Sequence, residues 1–199
     1  MFTCSGKPKD NNMKGQDKKS GGFACFPGHA LVETQNGLVR MDQLHENILV
    51  RDSDDISFSR VTGFLHASAS AGSCAYVSLG FDDGKKFEAS ANHRVFLADG
   101  RDDFAGDVEV GSILASGQQV RDISIVEYDS LFAPVTETGM IYVDGVTASC
   151  YADVEHSLAH LVVSLPFKLQ NATRWAFGSV ISAAISDVAL ISHATGQSN

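Results

Sequence analysis

Short runs of alternating apolar and polar residues fill the middle of the chain, and turn-forming residues separate them. A period of two is typical of a half-buried β-strand, because successive side chains point to opposite faces of a sheet. Asn36 and Gly37 lie between two such runs and give a strong hairpin signal. The pattern predicts strands at 30–34, 38–41, 48–51, 56–66, 74–81, 87–89, 94–98, 112–116, 120–128, 139–143 and 147–153. No helical period is sustained before residue 155, so the body is predicted to be all-β.

The two ends of the chain differ from this body. Residues 1–24 carry five lysines against two aspartates and few apolar side chains, which predicts a flexible, Lys-rich linker. The end at 164–199 holds a nearly uncharged stretch from 175 to 191, interrupted by Asp187. We expect either a helix packed on the body or an apolar face that meets lipid or a membrane surface. The side chains expected to make that contact are Trp175, Phe177, Val180, Ile181 and Ile185. The predicted domains are therefore 1–24, 25–163 and 164–199.

A weak internal repeat is visible within the body. Asp42 lies six residues before Ile48, as Asp107 lies six residues before Ile113, and Gly84 and Gly139 each lie three residues before an aromatic side chain. Two related β subdomains would explain these matches.

The charge pattern excludes one class of partner. The chain has a net charge of −9, of which the tail contributes about +3, so the body is strongly acidic. Binding to nucleic acid requires lysines and arginines that neutralise phosphates, and no basic stripe is present. The start of the chain lacks the apolar run of a signal peptide. We therefore expect either a cytosolic protein or, preferably, a fragment of a longer precursor.

Cys25 lies where the tail meets the body, within Cys-Phe-Pro-Gly at 25–28. Its thiol can attack the carbonyl of Ala24 through a five-membered ring, so the two reacting groups are held close by covalent bonds. Pro27 and Gly28 favour a tight turn that holds this geometry. The ordinary alternative is an inert, buried cysteine.

Ser90 and His93 supply further groups that such a reaction requires. An amide nitrogen is a poor leaving group until it is protonated, and histidine can do this near neutral pH. The hydroxyl of Ser90 could hydrogen-bond the carbonyl at the cleaved bond or hold that peptide distorted. The alternative is that both residues are structural.

A third cluster surrounds Cys150. His156 and His160 follow at the spacing of one helical turn, and with Cys150 they could bind zinc, but a fourth ligand is missing. The four cysteines are widely spaced and include no C-x-x-C pair, which disfavours a zinc ribbon or a dense disulfide framework. We therefore predict no metal and no cofactor.

Four motifs in this order resemble the C-terminal autoprocessing (Hint, or Hog) domain of hedgehog-type proteins. They are Cys-Phe-Pro-Gly at 25–28, Ser-x-x-His at 90–93, Ser-Cys-Tyr-Ala at 149–152 and Glu-His-Ser-x-Ala-His at 155–160. The resemblance covers roughly residues 24–166. It implies a compact, disc-like all-β domain with pseudo-twofold halves and a two-step acyl transfer. Cys25 would form a thioester with Ala24, His93 would serve the departing amine, and cholesterol or another nucleophile would then resolve the thioester.

The same resemblance implies roles for other residues. Cys150 matches a second family cysteine that lies near the nucleophile and pairs with it or relays the acyl group, and these two possibilities stay open. Residues 164–199 match the region that recognises the sterol or another adduct. Three positions depart from the family: Ala24 replaces a glycine, Ser90 replaces a threonine, and His66 replaces the aspartate thought to activate the sterol hydroxyl. A histidine can also act as a base, so the acceptor could be a sterol, another lipid alcohol or water.

These observations lead to one main hypothesis and several alternatives. The main hypothesis is a monomeric, self-cleaving domain of a secretory-pathway or secreted precursor, whose substrate is its own N-terminal segment and whose partner is a sterol or other lipid. A full intein is disfavoured, because no His-Asn followed by Cys, Ser or Thr closes the domain. A catalytically silent β module that binds sterol or membrane through its tail is the alternative from another class. A cysteine protease acting on other proteins is least favoured.

Overall fold

The computed structural model describes residues 24–53 and 55–151, and these residues form an all-β body, as the sequence predicts. Between residues 24 and 151 the regular elements are twelve strands and one short 3₁₀ helix. The predicted linker, the apolar tail, the lipid-contact residues and the histidines of the zinc alternative lie outside the described residues. In chain order the strands are β1 Leu31–Thr34, β2 Gly37–Arg40, β3 Leu49–Arg51, β4 Phe58–Ser68, β5 Cys74–Phe81, β6 Lys86–Ala89, β7 Arg94–Phe96, β8 Asp102–Phe104, β9 Val120–Tyr128, β10 Leu131–Thr136, β11 Met140–Val143 and β12 Val146–Ser149, and the 3₁₀ helix is Met41–Gln43.

The strands form two sheets. The larger sheet has nine strands in the order β10-β4-β3-β1-β11-β12-β7-β8, with β2 paired to β1 at one side. The smaller sheet has the order β6-β5-β9. Every strand pair in both sheets is antiparallel, which is consistent with the short turns that separate the runs in the sequence.

The larger sheet contains the internal repeat that the sequence suggests. The hairpin β11–β12 lies at its centre, and the hairpins β1–β2 and β7–β8 flank it on opposite sides. Val32 of β1 pairs with Val143, and Val95 of β7 pairs with Ala148. Asp42 and Asp107 each follow the second strand of a flanking hairpin, so their similar sequence positions correspond to similar places in the fold.

Four details differ from the predicted strands. Residues 112–116 make only isolated bridges, through Leu114 to Leu97 and through Ile113 to Gln119. Strands β8 and β10 are additional, and the short 3₁₀ helix Met41–Gln43 follows β2. Strand β10 escapes the pattern because Pro134 lies within it and four successive residues after Phe132 are buried on both faces, so alternation is lost.

One continuous apolar core fills the space between the sheets. Buried side chains of both sheets join it, including Val32, Val61, Leu79, Phe87 and Ile141. Strand β5 is buried on both of its faces along most of its length. Its neighbour β9 carries Ile123 and Ile125 on a surface that is largely exposed. Within the described range, no helix is long and apolar enough to cross a membrane.

The contrast between β5 and β9 gives a stability prediction. Leu79→Ala removes a side chain with 0% exposure and leaves a cavity, so we expect a loss of about 3 kcal/mol in the free energy of unfolding. Ile125→Ala, two residues along the paired strand and 46% exposed, should cost less than about 1 kcal/mol. Urea unfolding, monitored by far-UV circular dichroism, measures the free energy of unfolding of both variants. Equal losses would contradict the assigned core.

Candidate functional site

The segment that begins at Cys25 is fixed to the larger sheet by main-chain hydrogen bonds. Phe26 N–H donates to the carbonyl of Phe132 at 2.8 Å, and Phe132 N–H donates to the carbonyl of Phe26 at 3.0 Å. Gly28 N–H donates to Ser130 Oγ at 2.8 Å. The first residues of the body therefore run along β10, and Cys25 is buried there with only 2% exposure.

Gly28 is required by close packing. A Cβ atom at this position would lie 3.1 Å from the ring of Phe132 and 3.2 Å from the side chain of Asp42. Both distances are tighter than ordinary contacts, so a larger residue would push the turn away from β10. The turn is also bonded to the 3₁₀ helix after β2, because Asp42 N–H donates to the carbonyl of Gly28 at 3.0 Å.

Ser90 holds the nitrogen of the candidate scissile bond. The N–H of Cys25 donates to Ser90 Oγ at 3.0 Å, and the N–H of Ser90 donates to the carbonyl of Cys25 at 2.9 Å. His93 N–H donates to the carbonyl of Ser90 at 2.9 Å and closes the turn after β6. The two motifs that the sequence separates by 65 residues thus meet through a reciprocal pair of hydrogen bonds.

His93 lies inside this junction, with no exposed surface. Its ring packs on the ring of Phe26, with centroids 4.2 Å apart and an angle of 51° between planes. Burial lowers its pKa to about 4, although nearby backbone groups of Ser149 and Cys25 favour the protonated form. Among the described residues, neither ring nitrogen has a partner at a normal hydrogen-bond distance and angle. The imidazole is therefore neutral near pH 7 and has a lone pair available as a base.

The thiol of Cys25 is neutral as well. Burial raises the pKa of Cys25 to about 12, so the free thiolate is rare at neutral pH. Tyr76 lies close by: its hydroxyl donates to the carbonyl of Ser130 at 2.5 Å and lies 3.4 Å from the carbonyl of Phe26. Burial, and secondarily the charge of Cys25, raises the pKa of Tyr76. An attack by Cys25 consequently needs a base within the site.

His66 is related to Cys25 by the register of neighbouring backbone segments in the sheet. Because Phe26 pairs with Phe132, Cys25 is opposite Ala133, and Ala133 pairs with His66 of β4. Side chains directly opposite in neighbouring strands point to the same face, and two strand spacings separate the Cα atoms by about 10 Å. The small methyl group of Ala133 is the side chain between them. His66 is only partly buried, and this burial lowers its pKa.

Cys150 lies at the end of β12, next to the backbone of Ser149 that faces His93. It is completely enclosed, its Sγ is 3.6 Å from Thr136 Oγ1, and its N–H donates to the carbonyl of Gly139 at 2.8 Å. Burial is the main cause that raises the pKa of Cys150 to about 11, and Asp52 raises it by a smaller amount. Cys25 and Cys150 are both free thiols, so the disulfide that the sequence left open is absent.

Sequence reasoning missed several residues that hold the site together. Tyr76, Ser130 and Phe132 fix the backbone around Cys25, but their contacts depend on the register between distant strands. A tyrosine inside the mostly apolar strand β5 was an available signal, since a buried hydroxyl requires a partner. Among residues 24–53 and 55–151, no group of three or more His, Cys, Asp or Glu side chains is arranged to hold a metal ion.

Comparison with known proteins relates this site to one family. The family profile described as "Hint module" matches residues 14–194. Sonic hedgehog protein from Danio rerio is 34% identical over 164 residues, which cover 72% of this chain, and Indian hedgehog B protein from the same fish is 31% identical over 71% of this chain. Warthog protein 4 from Caenorhabditis elegans is 24% identical over 67% of this chain. The matches cover 39%, 40% and 29% of these relatives' own lengths, so the chain spans well under half of each.

Solved structures show the same fold at low sequence identity. A crystal structure of the gp41-1 intein aligns with 64% of this chain and 99% of its own, with a TM-score of 0.53 and 15% identity. A DnaB intein from Synechocystis sp. aligns with 66% of this chain and 99% of its own, with a TM-score of 0.51 and 15% identity. These similarities confirm the predicted Hint-type all-β architecture.

The depressed pKa of His93 has a measurable consequence. The unfolded state takes up a proton on this histidine below about pH 6.5, whereas the folded state does so only near pH 4. The unfolded state therefore binds more protons between these values, and folding stability falls by about 3 kcal/mol as the pH drops from 6.5 to 4. Urea unfolding of Cys25→Ala, which keeps the chain intact, should show this slope. His93→Gln in the same background should lack that part of the slope, and an unchanged slope would place the imidazole in water.

Proposed function

This chain belongs to the Hint module family and carries a hedgehog-type autoprocessing fold, and we propose that it cleaves its own Ala24–Cys25 bond through a thioester. One observation carries the proposal: the amide nitrogen of Cys25 is held by Ser90 Oγ at 3.0 Å while the neutral ring of His93 lies beside the same backbone. This arrangement supports the proposal, because the Ala24–Cys25 bond lies in the same buried junction as a thiol, a hydroxyl and a neutral imidazole.

The first step exchanges nitrogen for sulfur. His93 removes the thiol proton of Cys25, and Sγ forms a bond to the carbonyl carbon of Ala24. The protonated imidazole then gives this proton to the amide nitrogen of Cys25, and the carbon–nitrogen bond breaks. A thioester and a free amine result, with no net change in protons. The hydrogen bond from Cys25 N–H to Ser90 Oγ fixes the direction of the nitrogen during this exchange.

The environment explains why a neutral pair is suited to this step. The fold disfavours both the thiolate of Cys25 and the imidazolium of His93, because each charged form loses hydration in the junction. A proton that moves from sulfur to imidazole and onward to nitrogen does not require either charge to persist. Covalent proximity further lowers the barrier to this step, since the thiol and the carbonyl belong to adjacent residues.

The second step transfers the N-terminal product to an acceptor. We propose that His66 takes the proton of an acceptor hydroxyl, whose oxygen bonds to the carbonyl carbon of Ala24 while the carbon–sulfur bond breaks. The leaving thiolate of Cys25 recovers the proton. A sterol-like lipid alcohol gives an ester and water gives a carboxylate. Support comes from the line of Cys25, Ala133 and His66 across three strands.

Several finer expectations belong to this proposal. The substrate is the chain's own N-terminal segment, and the lipid is expected to meet the tail at 164–199. A relay of the acyl group through Cys150 stays a prediction of the family resemblance. A precursor that passes through the secretory pathway would place this reaction where hedgehog-type relatives are made.

The first step can be tested with the chain as it is. Incubation of the purified 199-residue protein with dithiothreitol should release residues 1–24, because a small thiol attacks a thioester but not a peptide bond. Cys25→Ala should release nothing, and His93→Ala should slow release by at least about a hundredfold. Intact-mass spectrometry with time measures all three. His45→Ala is the matched histidine control, because His45 is exposed and its Nδ1 lies 2.9 Å from the backbone carbonyl of the adjacent Glu46. An intact wild-type chain would instead support a catalytically silent module.

His66 should affect only the second step. His66→Ala should leave dithiothreitol-induced release unchanged and should slow release by a sterol or by water about a hundredfold, the loss expected when a general base is removed. Mass spectrometry of the fragment ending at Ala24 identifies the product, since a sterol ester and a free carboxylate differ in mass. Ala67→Ser, a change at the next residue of β4, is the control. A loss of thiol-induced release in His66→Ala would contradict the separation of the two steps.

A further inference from the structure

A second connection joins the two halves of the site without touching the reacting atoms. His29 directly follows the Cys25–Gly28 turn, and Glu88 lies in β6 two residues before Ser90. Nε2 of His29 lies 2.9 Å from Oε2 of Glu88. One side-chain contact therefore bridges the segment that carries the nucleophile and the strand that carries Ser90 and His93.

Glu88 is prepared for this contact by its surroundings. The residue is only 7% exposed, and a buried carboxylate is costly unless its oxygens are hydrogen-bonded. Ser78 Oγ donates to Oε1 at 3.1 Å, and the hydroxyl of Tyr128 interacts with the same carboxylate. Both partners come from strands of the smaller sheet, so they hold Glu88 in a fixed position. The remaining oxygen, Oε2, is turned toward His29.

His29 is held on a second side by an aromatic ring. Its imidazole meets the ring of Tyr128 edge to face, with centroids 4.5 Å apart and planes at 68°. The carboxylates of Asp42 and Asp144 also lie near His29, on two other elements. Burial raises the pKa of Asp144 to about 6, against the opposing effects of the Leu31 N–H and of His29. Asp42 is already paired with Arg40, whose hydrogen bond is the main cause of its own lowered pKa. Glu88 is consequently the carboxylate that binds His29 directly.

We propose that His29 and Glu88 form a positioning pair that sets the distance between the nucleophile turn and the Ser90–His93 turn. The proposal rests on the self-cleavage described above and adds two residues to it. The turn is thus held at Phe26 by β10 of the larger sheet and at His29 by Glu88 of the smaller sheet. Without the pair, the turn keeps its bonds to β10, the Cys25–Ser90 hydrogen bonds and the packing of Phe26 on Phe87, but it loses the side-chain contact between His29 and Glu88.

The chemical reason is the sensitivity of an intramolecular attack to geometry. An amide nitrogen held in place by Ser90 Oγ loses alignment when the two turns separate by a fraction of an ångström. The effect falls on thioester formation, because that step needs Cys25, Ser90 and His93 together. Once the carbon–nitrogen bond is broken, attack by a small thiol no longer requires Ser90 to align the amide nitrogen, so this step should not depend on the pair.

A double-mutant cycle tests the pair in the full 199-residue chain. His29→Ala and Glu88→Ala should each slow dithiothreitol-induced release by about tenfold, which corresponds to about 1.4 kcal/mol in the barrier. The double variant should be no slower than the slower single variant, because both remove the same contact. His29→Gln should recover most of the rate, since its side-chain amide can donate to Oε2 of Glu88.

Two measurements separate positioning from a general loss of stability. Thermal unfolding shows the temperature range in which each variant is fully folded, and the rates are compared only within that range. The rate of release is also measured at several dithiothreitol concentrations, because at saturating thiol it reports thioester formation and at low thiol it reports resolution. The pair should change the saturating rate. His45→Ala serves again as the control and should match the wild type.

The outcomes distinguish this proposal from the proposed function. If the wild type releases residues 1–24 and the single variants release them equally fast, the positioning pair is refuted while self-cleavage stands. If losses in the two single variants add in the double variant, the residues act independently and the pair is also refuted. If the wild type releases nothing, self-cleavage itself fails.

Discussion

The reciprocal hydrogen bonds between Cys25 and Ser90 are the contact on which the rest of this structure depends. Cys25 belongs to a segment that runs along β10 of the larger sheet, whereas Ser90 follows β6 of the smaller one. The candidate site is therefore the place where two sheets meet, and neither sheet could form it alone. Tyr76 crosses the same boundary, since it lies in β5 and donates to the carbonyl of Ser130 beside β10. A site at such a junction brings residues 65 positions apart into contact while the N–H and the carbonyl of Cys25 both stay hydrogen-bonded.

Burial at this junction leaves both side chains of the proposed reaction, Cys25 and His93, uncharged near neutral pH. It raises the pKa of Cys25 and lowers that of His93, because a charged form of either loses its hydration. Many cysteine nucleophiles depend on a stable thiolate that reacts with molecules arriving from solution. A neutral, enclosed thiol reacts poorly with such molecules. In the proposed scheme this does not matter, because the carbonyl to be attacked belongs to the preceding residue of the same chain.

The sequence predicted the parts of this fold that have local signals. The bounds of β5 and β9 agree with the predicted runs, because both strands have strong β-forming residues and clear turns at their ends. Residues 112–116 have the pattern of a strand but pair only through isolated bridges. Strand β8 contains two aspartates, so its sequence does not have the pattern of a strand. Cys25, Ser90 and His93 could be proposed from motifs, and the structure brings them together. The contact between His29 and Glu88 could not, since it exists only when the turn after Cys25 lies against β6. The predicted lipid-contact tail lies outside the described residues.

The two histidines of the proposed scheme show how one side-chain type serves two steps. His93 is fully enclosed and has a strongly lowered pKa, which suits a proton exchange between atoms of the chain itself. His66 is only partly buried on the long strand β4, so of the two histidines it is the one with exposed surface, although its Nε2 atom is enclosed. An acceptor alcohol must arrive from solvent or lipid, and a base at a closed position could not meet it. In this register the short side chain of Ala133 is the one between Cys25 and His66. In the proposed scheme the enclosed His93 would therefore serve the internal step, and the partly buried His66 would serve the step that needs an external acceptor.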